Sequence, residues 1–217
     1  MAMMNKKYVK NRIRTQIAGI LKNEGFKYIK SNERIIRRHE YGFDVIYTRV
    51  IDYEPIFQIE YSIAIRLNAV EDVVNKFFGE ELFNPKNKPL TTTIASSYDL
   101  MSGTNLSYIE ICTEDELEDA IQELAELTKS KGYDFFQKYK NFAVTNELKK
   151  NQILNDETGL SNILRSLMQS LTLMKLCEDT DFDILCNKYK ELYVPFVGQE
   201  ITGRKALNNL IEYLKAM

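Results

Sequence analysis

Cysteine, glycine and histidine are scarce in this chain of 217 residues, and each scarcity removes a class of chemistry. The three cysteines, Cys112, Cys177 and Cys186, are odd in number, widely spaced and free of any Cys-x-x-Cys pair. They suit neither a disulfide framework nor a zinc site and read as reduced packing residues. Nine scattered glycines cannot supply the dense turn through which a backbone cradles phosphate, so no nucleotide cofactor is expected. The single histidine, His39 in Arg37-Arg38-His39-Glu40, has no second histidine with which to build a metal site and reads as structural or solvated. Gly-x-Ser-x-Gly is absent, and Met101-Ser102-Gly103 has the form of an ordinary turn. Neither a metal nor a cofactor is expected. No apolar run approaches the roughly 18 residues that a spanning helix needs, so no membrane partner is expected. The segment Met1 to Lys10 turns charged before a secretory apolar stretch forms, which makes the cytoplasm the default location.

What is present is a globular composition, 44% hydrophobic and 28% charged, at a length that can bury a sizeable core. Net charge is −2, but its distribution is uneven. Residues 1–50 carry 12 Lys/Arg against 4 Asp/Glu, residues 51–126 carry 4 against 16, and residues 127–217 carry 13 against 11. A basic start and an acidic middle either neutralise each other within one fold or mark surfaces for charged partners.

The clearest pattern runs from Phe57 to Leu67. Phe57, Ile59, Tyr61, Ile63, Ile65 and Leu67 alternate with Gln58, Glu60, Ser62, Ala64 and Arg66, as on a strand with one buried face in an antiparallel sheet. Ahead of it, Val9, Ile13, Ile17, Ile20 and Leu21 predict an opening helix over Lys6 to Glu24, closed by Gly25. Phe26 to Lys30, Arg34 to His39 and Phe43 to Tyr53 read as strands, followed by a short helix over Ala69 to Phe78 and a loop over Asn84 to Pro89. Leu90 to Tyr98 and Leu106 to Cys112 read as an antiparallel strand pair. Thr113-x-x-Glu116 has the form of a capping box, opening a helix with Leu117, Ala120, Ile121, Leu124 and Leu127 inward. Beyond Lys131 the pattern is helical: Tyr133 to Lys150, Leu160 to Leu176, Phe182 to Tyr193 and Thr202 to Lys215, with Pro195 and Gly198 as punctuation. The expected fold is α+β, with an N-terminal helix, an antiparallel meander of five to six strands and an all-helical C-terminal part. The expected domains are a sheet domain at 1–150 and a helical extension at 151–217, hinged near Asn155 to Gly159.

The helix followed by Asn23-Glu24-Gly25-Phe26-Lys27 and Arg34-Ile35-Ile36-Arg37 resembles the start of a bacterial family of unknown function. Leu173 to Cys177, Asp181 and Tyr189 to Leu192 resemble its helical close. The resemblance implies an α+β fold and no established reaction or ligand. It also implies kinship with bacterial proteins suspected of immunity or interaction roles, and it transfers no site residues.

Three function classes follow. The leading one is a non-enzymatic protein that binds another protein through the polar sheet face at Gln58, Glu60 and Arg66 or the acidic helix at Glu116, Asp119 and Glu123. A second is a nucleic-acid binder using Lys6, Lys7, Lys10, Arg12, Arg14, Arg34, Arg37 and Arg38, provided they converge on one face. The third is an enzyme whose site is assembled from distant carboxylate, Tyr and Lys side chains.

Overall fold

The computed structural model of the chain describes residues 4–78, 85–154, 163–192 and 200–217. They form an α+β protein with an N-terminal helix, a six-stranded antiparallel sheet and a helical C-terminal part. Contacts divide it into two compact units, Met1–Arg66 with Ile94–Lys138, and Leu67–Thr93 with Tyr139–Met217. This division differs from the boundary expected at 150/151. Both units are discontinuous, because the first helix after the long strand packs among the C-terminal helices. The expected hinge at Asn155 to Gly159, and the punctuation at Pro195 and Gly198, lie outside the described residues.

In the first unit, helix α1 (Lys6–Ile20) starts at Asn5, whose side-chain oxygen accepts the Tyr8 N–H at 3.0 Å, and it buries Val9, Ile13 and Ile17. A 3₁₀ turn at Lys22–Glu24 then ends on Gly25 at φ 89°, a left-handed conformation open to glycine without strain. Strands β1 (Lys27–Ile29), β2 (Arg34–His39), β3 (Gly42–Tyr53) and β4 (Ile56–Leu67) follow in meander order. Next come β5 (Ile94–Ser97), the short helix α3 (Tyr98–Ser102), β6 (Tyr108–Ile111) and α4 (Glu114–Leu127). A π turn at Thr128–Gly132 carries α4 on into α5 (Tyr133–Tyr139).

One sheet face, carrying Ile35, Ile46, Val50, Phe57, Ile59, Ile63 and Ile65, is buried with the apolar stripes of α1 and α4. Tyr61 lies on that face and hydrogen-bonds Thr128 in the π turn. Burial pushes the Tyr61 phenol well above its ordinary range. The capping box is made as the sequence spells it. The Thr113 hydroxyl accepts from Glu116 N–H at 3.2 Å, and a Glu116 carboxylate oxygen accepts from Thr113 N–H at 2.9 Å. Backbone N–H groups of Cys112 and Thr113 hold the Glu116 carboxyl below its usual range. Replacing Thr113 with alanine is expected to cost about 1 kcal/mol of stability, read as a lower urea midpoint at unchanged slope.

The second unit holds α2 (Asn68–Phe77), a 3₁₀ turn at Pro85–Leu90 where a loop was expected, α6 (Phe142–Leu154), α7 (Ile163–Leu176), α8 (Phe182–Leu192) and α9 (Glu200–Ala216). Helix α7 is central, packing on α2, α6, α8 and α9 through Leu164, Leu167, Leu171 and Met174 among others. The helix expected over Tyr133 to Lys150 is two helices. Asn141 breaks it, because its side-chain oxygen accepts the N–H groups of Ala143 (3.0 Å) and Val144 (3.3 Å) and so caps a new start. Among the described residues no helix is long and apolar enough to cross a membrane.

Candidate functional site

The strand pair expected from Leu90 to Tyr98 and Leu106 to Cys112 is not a pair. Both short strands align on the same edge of β4, with Ser62 to Ile65 opposite Ser97 to Ile94 and Phe57 to Glu60 opposite Ile111 to Tyr108. They are the two halves of one edge strand. Between Ser97 and Tyr108 the chain leaves the ladder opposite Tyr61, forms α3 and a turn at Gly103, and rejoins one β4 position further on. Such an excursion is an enlarged bulge, the device by which an edge strand re-aims side chains. Two anchors hold it. Met101 is buried, and the Tyr98 hydroxyl donates to a Glu123 carboxylate oxygen; burial and that carboxylate push the Tyr98 phenol up to about 12. Its outer residues, Leu100 at 74% exposure and Leu106 at 57%, meet solvent.

At the break lies a groove of about 350 Å³ lined by Tyr47, Arg49, Glu60, Ser62, Ser97 and Ser107. The alternation of β3 and β4 puts Tyr47, Arg49, Glu60 and Ser62 on the face opposite the main core. The Arg49 side chain is 73% exposed and meets Glu60, itself 40% exposed, at 3.3 Å. Gln58 donates to Glu110 at 3.0 Å along the same rim.

The structure therefore brings two of the expected docking residues, Gln58 and Glu60, to one surface. Arg66 does not join them, since it is only 5% exposed and is withdrawn as a docking residue. The reason is local: the polar alternation of β4 holds only to Ser62. Beyond it Ala64 packs with Ile36, Phe43 and Val45 in a second apolar cluster on that face. On α4, Glu116 is occupied by its capping box and Glu123 by Tyr98, while Asp119 faces solvent. Tyr8 donates to Glu114 at 3.1 Å and Arg12 reaches Glu118 at 2.7 Å, so basic α1 and acidic α4 neutralise each other in part. Arg49, Tyr47, Ser97 and Ser107 were not expected. Their one sequence signal is Leu106 standing in the polar run Ser102-Gly103-Thr104-Asn105-Leu106-Ser107.

The basic candidates do not all converge. Lys10 and Arg14 pair with Glu33, and Arg14 donates to the Thr48 carbonyl oxygen at 2.8 Å from a buried position. Arg34 lies over the Tyr47 ring at 4.8 Å. Strand alternation points Arg34 and Arg38 to one face and Arg37 to the other, where it meets Asp44 at 2.8 Å. Lys6 and Lys7 line an exterior hollow of about 430 Å³ with Lys10, Asn11 and Glu33.

Two clusters of buried ionisable groups complete the inventory. In the first unit, fully buried Asp44 accepts from Arg37 and from His39 Nε2 (2.7 Å), and from Tyr41 at 3.3 Å. In the second, fully buried Glu71 accepts from Arg165, from Gln169 at 2.6 Å and from Thr93 at 3.1 Å. Lys149, 7% exposed, donates to the Gln169 amide oxygen at 2.9 Å. Burial lowers its amine to about 8, with Glu71 opposing and Arg165 reinforcing that shift. Below about pH 8 the amine is charged in folded and unfolded chains alike, and the folded state bears the full cost of burying it. Between about 8 and the unfolded value of roughly 10.4 only the unfolded chain holds the proton, so this group makes stability rise with pH. Denaturation midpoints measured from pH 7.5 to 9.5 are expected to show that rise, and Lys149→Met is expected to remove it.

Among the described residues no group of three or more His, Cys, Asp or Glu side chains is placed to hold a metal ion. Fold and surface together define an α+β protein with an interrupted edge strand opening a polar groove. No family model, curated protein or solved structure matches the chain.

Proposed function

We propose that this chain is a non-enzymatic bacterial cytoplasmic protein that binds another protein across the groove at the broken edge strand, in the manner of an immunity-type inhibitor. The observation that carries the reading is the excursion 98–107, which opens a polar, charged cleft on a rigid sheet and sets Leu100 and Leu106 in solvent beside it. Polar residues that fix orientation, flanked by exposed apolar side chains, are the ingredients of a protein interface. Action by steric occlusion and electrostatic complementarity needs a stiff face and charge contrast, and no reactive centre.

A photoreactive residue introduced at position 107 in the native host is expected to capture one partner in stoichiometric yield. Arg49→Glu is then expected to weaken the purified complex about tenfold or more, while Lys205→Glu on α9 leaves it unchanged. Failure to capture a stoichiometric partner, or an affinity indifferent to Arg49→Glu, overturns the reading.

A further inference from the structure

We infer that the partner presents to this groove an extended acidic segment, a carboxylate docking on Arg49 beside a hydrogen-bond donor that meets Glu60; the inference rests on the protein-binding reading above. Arg49 carries five N–H donors, and its internal partner is a single carboxylate 3.3 Å away in a pair exposed on both sides. An exposed pair of this kind contributes little to stability and opens readily for a better-placed carboxylate. A second guanidinium, Arg34, stands on the far side of the Tyr47 ring that forms one groove wall, and adds positive potential there. Glu110 on the same rim accepts from the neutral Gln58 amide and keeps its charge, but it lies outside the groove lining. Arg49 is thus the exposed group of the lining that a carboxylate meets, with Glu60 beside it. Glu60 within the lining disfavours a dianion such as phosphate and favours a donor next to the incoming carboxylate.

Size and surroundings select a protein segment over a small metabolite. A cleft of about 350 Å³ is at the low end for ligand sites, with room for about one or two side chains. Leu100 and Leu106 lie outside the lining, on the excursion whose ends, Ser97 and Ser107, form the groove. Only a ligand longer than the groove reaches them. The hydroxyls of Ser62, Ser97 and Ser107 serve as adaptable donors and acceptors for its backbone.

The test is amide-shift mapping of the full chain by NMR with three capped peptides: acetyl-Gly-Asp-Gly-Asp-Gly-amide and its lysine and asparagine counterparts. The aspartate peptide is expected to shift amides around residues 49, 60–62, 97 and 107, saturating at about millimolar concentration, and the other two are expected to shift them at least fivefold less. Arg49→Ala is expected to abolish the shifts. Glu60→Gln, which removes the competing internal carboxylate, is expected to tighten the aspartate peptide severalfold. Equal shifts from the lysine peptide, no shifts at the groove, or weaker binding by Glu60→Gln overturns the inference. If a partner is captured at position 107 and depends on Arg49 while the aspartate peptide leaves the groove unshifted, the protein-binding reading stands and this assignment of the partner's chemistry falls.

Discussion

Replacing Glu71 with glutamine is expected to destabilise the second unit by about 3 to 5 kcal/mol, the range for removing one partner from a buried ion pair. Glutamine keeps the shape of the side chain and an oxygen able to accept from the Thr93 hydroxyl. It cannot balance Arg165, whose side chain is 14% exposed, and with its oxygen kept toward Thr93 and Gln169 its new amide N–H₂ points donors at the Arg165 guanidinium. The damage extends along the chain of bonds. Gln169 bridges Glu71 and Lys149 and also donates to the Thr92 carbonyl oxygen at 3.0 Å, so disturbing Glu71 disturbs the seat of a buried amine. Without the carboxylate that supports its charge, the Lys149 amine is expected to fall further below its ordinary range. Urea unfolding followed by far-ultraviolet circular dichroism reports this directly, because α2, α6, α7, α8 and α9 all belong to the affected unit. A loss below about 1 kcal/mol would mean that water reaches Glu71 and screens it.

The physics of that network explains which parts of the structure are legible in the chain. Helix α1, strand β4 and the start of α4 are written in local patterns of period 3.6, period 2 and Thr-x-x-Glu, and all three form where those patterns stand. Glu71 is not legible. Val70, Val73, Val74 and Phe77 predict the inward stripe of α2, but position 71 shares a helix face with 74, and the group that makes a buried carboxylate tolerable lies 94 residues away at Arg165. Helix α6 misleads for the same reason. Its inward face is Thr145, Asn146, Lys149 and Ile153, mostly polar, so hydrophobic periodicity carries little of its orientation.

The groove illustrates a different limit. Strands of four residues such as β5 and β6 hold too few side chains to show a period, and antiparallel neighbours in sequence are ordinarily partners in space. Register on β4 decides otherwise, because Ser62 to Ile65 and Phe57 to Glu60 take up the two strands end to end. Gln58 and Glu60 are legible as site residues because they belong to the long strand. Arg49, Ser97 and Ser107 are not, because only the pairing of distant segments brings them together.

Asp44→Ala is the second substitution expected to cost about 3 to 5 kcal/mol, here in the first unit. Asp44 sits directly across from Arg37 in the β2–β3 ladder and is fully buried. Its Oδ2 accepts from Arg37 Nε (2.9 Å) and Nη2 (2.8 Å), a forked contact of the stronger charge-assisted kind. The guanidinium is enclosed by the rings of Phe26, Tyr133 and Phe136, with centroid distances of 4.7, 5.1 and 5.3 Å. Those rings attract the cation but do not neutralise it, so deleting the carboxylate strands a positive charge among aromatic side chains. His39 is drawn into the same arrangement, its Nε2 on Asp44 and its ring stacked on Tyr41 at 4.8 Å. Burial and the Asp44 charge push the Tyr41 phenol well above its ordinary range. A double-mutant cycle separates the mechanism from simple loss of packing. In an Arg37→Met background no guanidinium needs a counter-charge, and the same Asp44→Ala step is expected to cost no more than about half as much. If the two backgrounds give equal losses, Asp44 stabilises the sheet by some means other than its pairing with Arg37.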